Sequence, residues 1–207
     1  HNMDNYFDLG NYSREITTPS EPARQWFNRG LIWCYAFNHE EAVRCFEKVI
    51  EIDPDCAMGY WGMAFASGPF YNKPWGWFGD LERESSIAFC HDYAHQAAER
   101  KALASPLEAA LIEAICAKHP CAQAANAIDL ERWTQDYAVA MRRVYAEFPD
   151  DLDVICLCAE AVMNLTPWKL WDIEYGLPAK GACTDEAIAI LEHGLQRIEL
   201  QGLKPHP

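Results

Sequence analysis

The sequence predicts an all-α protein of antiparallel helix hairpins stacked one on the next, and three observations lead there. Apolar residues recur at three- and four-residue steps along most of the chain, as a single buried helix face requires. The stripes come in pairs joined by short turns, most clearly in residues 23–56, ARQWFNRGLIWCYAFNHEEAVRCFEKVIEIDPDC. Proline punctuates them at Pro54, Pro69, Pro106, Pro120, Pro149 and Pro167, and proline ends a helix or opens the next one but does not sit inside it.

Taken in order, residues 1–22 are polar and, with the run Thr17-Thr18-Pro19-Ser20-Glu21-Pro22, form an extended arm before a helical domain over 23–207. The first helix starts at about Ala23 and places Trp26, Phe27, Gly30, Leu31, Cys34 and Tyr35 on its stripe. Asn38 caps the second, with Glu41 as the reciprocal half of a capping box, and Ala42, Cys45, Phe46 and Val49 make its face. Asp53-Pro54 stops this helix and starts the next, whose stripes over 56–67 carry Tyr60, Met63, Ala64 and Ser67, and Trp61 and Phe65. Residues 69–80 break the pattern: Phe70, Tyr71, Trp75, Trp77 and Phe78 are costly to leave in water, so this loop is either a lid on the edge of the stack or one wall of a ligand pocket. A long helix over 81–104 and a shorter one over 107–118 follow, and 121–127 begin another helix or lead into one. The stripe Trp133, Tyr137, Ala138, Met141, Val144 and Tyr145 marks a helix over 128–148, and Asp151 caps one over 152–164. Residues 166–183 are a second aromatic connector, and Thr184-Asp185-Glu186 opens a final helix to about Leu200. Seven or eight helices result, or about four hairpins.

A chain of 207 residues buries about 70% of its unfolded surface, which is ample for a core. Half of it is apolar, with 8 Trp, 9 Tyr and 9 Phe, so large internal or groove-facing surfaces are expected. A formal charge of −14 excludes nucleic-acid backbones and anionic membranes as natural partners and favours cationic or neutral ones. The nine cysteines lie within helical stripes, unlike a disulfide framework, and predict reduced thiols. With no apolar run of membrane-spanning length and no signal-peptide order at the start, a cytoplasmic location is expected. His1-Asn2 ahead of Met3 has the look of an expression scar.

Trp26, Gly30, Ala42, Phe46 and Pro54, spread over a helix pair of this length, resemble the tetratricopeptide repeat. The resemblance implies a right-handed solenoid, which can curl, and small residues where the two helices cross. The segments 37–46, 53–64 and 163–172 resemble the N-terminal part of longer, mostly uncharacterised proteins of this class, which continue into histidine-rich helices. In such repeats the first helix of each pair lines the concave groove, which here offers Phe27, Leu31, Tyr35, Trp61 and Phe65, joined by Trp75, Trp168 and Trp171 from the two inserted loops. The Lys, Asn and Arg residues with which related modules clamp acidic C-termini are absent from those positions. The groove implied is apolar and aromatic.

Two functions follow as expectations. One is a binding scaffold whose groove engages a protein segment, a second polypeptide or the remainder of a longer chain. The other is a metal-dependent or acid/base enzyme enclosing a small hydrophobic or aromatic molecule, with His39 and Glu160 as base and acid near Asn164. His39 otherwise reads as an exposed turn histidine. No cofactor is evident. For a divalent metal the weak candidates are His91 and His95, one helical turn apart, and Cys116, His119 and Cys121 at a helix end; the alternative is solvated or core-packed histidine and buried thiol.

Overall fold

The computed structural model describes residues 13–166, 171–172, 177–178 and 183–201. Its helices are α1 (Glu21–Tyr35), α2 (His39–Ile52), α3 (Ala57–Ser67), α4 (Asp80–Glu99), α5 (Pro106–Lys118), α6 (Ala127–Glu147), α7 (Leu152–Met163) and α8 (Thr184–Gln201). Each packs on the next in sequence, and α3 also packs on α1 and α5. The result is a stack of antiparallel hairpins, all-α among the described residues apart from a two-residue antiparallel ribbon that pairs β1 (Trp171–Asp172) with β2 (Leu177–Pro178) in the second connector.

Phe46 shows why the first three helices cross as they do. Fully buried, its ring lies between two glycines: a Cβ added to Gly30 of α1 would stand 2.6 Å from it, and one added to Gly62 of α3 2.5 Å. Small residues at the crossing let the backbones approach closely enough to enclose one aromatic ring. Phe27 packs on Phe46 at 5.5 Å between ring centroids, and Trp61 stacks on Phe65 at 5.1 Å.

Several boundaries depart from expectation for local reasons. α1 begins at Glu21, two residues early, because Ser20 accepts from the Ala23 N–H and Pro22 is tolerated in the first turn. Asn38 caps α2 through the Glu41 N–H, but the Glu41 carboxylate turns to Arg44, so the reciprocal half does not form there; a complete capping box joins Ser105 and Glu108 on α5. Pro54 stops α2 but lies in a turn, and α3 starts three residues later at Ala57. α4 ends at Glu99, with a 3₁₀ turn at Lys101–Leu103 where the helix was expected to continue. Residues 121–126 are irregular, and Asn126 caps α6 at its start.

One set of contacts closes the stack. Tyr35 Oη at the end of α1 donates to Asp153 of α7 at 2.6 Å, and the Arg14 guanidinium, in the segment before α1, binds both Asp151 and Asp153. The first and seventh helices are thereby tied, and buried residues of α1, α3, α5, α6 and α7 share one hydrophobic core.

Candidate functional site

The 69–80 loop is shaped before it is packed. Phe70 and Lys73 exchange backbone hydrogen bonds of 3.2 and 2.9 Å, a 3₁₀ turn follows at Trp75–Trp77, and Arg83 of α4 donates to the carbonyls of Trp75 and Phe78 at 3.1 and 2.7 Å. Trp75 and Phe78 are buried at 6%, forming a second small core with Ile87, Leu130 and Trp133. Trp77, expected to be covered like its neighbours, is 60% exposed.

Between this loop, α4, α6 and the residues after α7 lies a cleft of about 1140 Å³. Phe70, Trp75, Ile87, Leu130, Tyr137 and Val139 supply apolar wall, while Lys118 and Asn164 bring polar groups to it.

Lys118 is the centre of a polar cluster inside the stack. The side chain is buried; Nζ donates to the Pro69 carbonyl at 3.0 Å and stands 5.0 Å from the Phe65 ring centroid and 4.8 Å from that of Tyr137. Burial pushes its pKa below the ordinary lysine value, against the attraction of Glu160. Desolvation likewise pushes Glu160 above the usual carboxylate range, outweighing Lys118 and the 2.8 Å bond from Asn164 Nδ2. His39 is driven down to about 4, first by burial and then by Lys118, with the Phe37 backbone opposing. Burial also holds the Cys34 thiol and the Tyr137 phenol well above their ordinary values, Glu160 adding to both. Side chains from five helices, α1, α2, α5, α6 and α7, therefore share one electrostatic neighbourhood.

His39 and Glu160 thus both feel Lys118. His39 is no exposed turn residue: its ring stacks on Phe70 at 3.6 Å and 8°. Phe27, Leu31, Trp61 and Phe65 are 1%, 1%, 1% and 4% exposed, so the groove expected on them is filled: Phe27 packs on Phe46 and Trp61, Trp61 on Phe65, and all four belong to the main core. Tyr35 is spent on Asp153, and among the described residues of the groove set Trp75 alone lines the cleft. Trp168 and the side chain of Trp171 lie outside the described residues. The metal candidates divide. His91 Nδ1 lies 2.9 Å from the His119 carbonyl, His95 is two-thirds exposed beside Glu99, the Cys116 thiol donates to Ala94, and Cys121 is exposed. Among the described residues no three such donors gather, and His119 is buried with both ring nitrogens lacking a hydrogen-bond partner.

Lys118 itself was missed because a lysine in a last helical turn ordinarily faces water. The signal was present: it follows Ile115 by three positions and Leu111 by seven, on the buried stripe of α5.

Residues 23–56, the segment whose Gly30 and Phe46 make the crossing, match the family model described as tetratricopeptide repeat. The chain carries a tetratricopeptide repeat. Neither a curated protein nor a solved structure matches the chain. Tetratricopeptide repeats build interaction scaffolds from helix pairs that bury their faces on neighbours, and here the repeat supplies α1 and α2. Among the described residues no helix is long and apolar enough to cross a membrane.

Proposed function

We propose that the protein is a helical-repeat scaffold that holds an apolar segment of another protein in the cleft between the 69–80 loop and α6. The observation that carries this reading is the apolar wall of the cleft. Phe70, Trp75, Ile87, Leu130 and Val139 line it, and Val139 is 44% exposed. Trp77, Leu81 and Ile128, 60%, 82% and 71% exposed, are the sequence neighbours of the lining residues Gly76, Asp80 and Ala127. An apolar concavity left open to solvent marks a surface that a partner covers. The volume, about 1140 Å³, stands above the usual ~300–1,000 Å³ of a small-molecule pocket and suits a length of chain.

The enzymatic reading rests on the common approach of His39 and Glu160 to Lys118, with His39 neutral and able to accept a proton. The cleft, however, meets Phe70, which stacks on His39, and Asn164, which binds Glu160; neither titratable group is itself among its lining residues. The scaffold is therefore favoured.

The test is selection of a random dodecapeptide display library on the protein, followed by binding measurements against Val139→Asp and Leu81→Asp variants checked for unchanged helical circular dichroism. Enriched peptides are expected to lose about tenfold in affinity on Val139→Asp. Peptides that bind both variants as well as wild type, or a library that enriches nothing, would overturn the proposal.

A further inference from the structure

Resting on that reading, we infer that the segment held in the cleft carries basic residues on either side of its apolar core. The cations that line the cleft are already engaged. Lys118 donates to the Pro69 carbonyl and faces Glu160, Arg83 is held by two loop carbonyls and Asp80, and Arg142 binds both oxygens of Glu186 at 2.8 and 2.9 Å. The anions are not. Glu84 on α4 and Glu131 on α6 line the cleft, are exposed, and have no ion-pair partner among the described residues. Asp80, its side chain 98% exposed, adds a third carboxylate that Arg83 meets from one side only.

Glu84 and Glu131 belong to different helices that wall the same cleft, so a chain lying in it meets a carboxylate from each of two helices. The chain as a whole carries −14, which favours the approach of a cationic segment over an acidic one. Apolar walls select the core of the partner and the acidic rim selects its flanks.

The peptide library used above, selected in parallel on wild type and on the double variant Glu84→Lys with Glu131→Lys, tests this. On wild type the enriched peptides are expected to hold Lys or Arg beside a cluster of Leu, Ile, Phe or Trp, and to weaken as salt is raised to about 0.5 M. On the double variant those peptides are expected to lose about three- to tenfold in affinity, and acidic flanks to be enriched instead. Enriched peptides with no charge bias, or a basic bias unchanged by the double variant, overturn the inference. If such peptides still lose affinity on Val139→Asp, the cleft reading stands without it; if nothing is enriched on any bait, both fall. Self-association of wild type that the Val139→Asp variant abolishes would assign the cleft to a second copy of this chain and overturn the inference as well.

Discussion

Gly62→Ala tests the crossing at Phe46, and the sign of its effect is the informative part. At an ordinary helical position alanine is favoured over glycine by about 1 kcal/mol. Here the new Cβ would lie 2.5 Å from two ring carbons of Phe46, whose ring is fully buried and also abuts Gly30. The ring is blocked on both sides, so α1 and α3 must separate, at an overpacking cost of about 1–3 kcal/mol. The net expectation is a loss of up to about 2 kcal/mol, read as a lower urea midpoint at unchanged slope by circular dichroism. Phe46→Leu alone removes ring contacts and is expected to cost about 1–2 kcal/mol. In the double variant the smaller side chain makes room for the methyl, so the combined loss should fall short of the sum by at least about 0.5 kcal/mol. A Gly62→Ala that stabilises by the full helix-propensity gain of about 1 kcal/mol, or strictly additive effects, would refute the account of glycine as the space for one ring.

Two further outcomes follow from the polar cluster. Because the folded protein holds His39 at about 4, below its ordinary 6.5, the unfolded chain takes up the proton first. The stability tied to neutral His39 is therefore complete above about pH 6.5 and is lost as pH falls toward 4, by up to about 3 kcal/mol; His39→Leu should flatten that part of the profile, and an identical profile would refute the assignment. Glu160→Gln leaves buried Lys118 without its counter-charge and is expected to cost about 1–3 kcal/mol, part of which Lys118→Met restores in the double variant. A double variant no more stable than Glu160→Gln would show that the pair does not interact.

The sequence by itself determined the helices and their order, because each depends on residues near in the chain. The stripe spacing, the proline stops and the caps at Asn38 and Asp151 are local interactions, and so is the repeat signature of Gly30, Ala42 and Phe46. Boundaries moved by a few residues where two local choices were close in energy, as at Pro22 and at the 3₁₀ turn after α4. What an apolar stripe does not say is which element will cover it. Phe27, Leu31, Trp61 and Phe65 would line a groove in an open solenoid and are core here, in a stack where Arg14 and Tyr35 reach Asp151 and Asp153 more than 100 residues away along the chain. The same packing places Lys118, His39, Cys34, Tyr137 and Glu160 in one electrostatic neighbourhood and leaves the cleft at the inserted loop. Those placements depend on the relative position of five helices, which burial and long-range ion pairing fix and which periodicity along one helix does not contain.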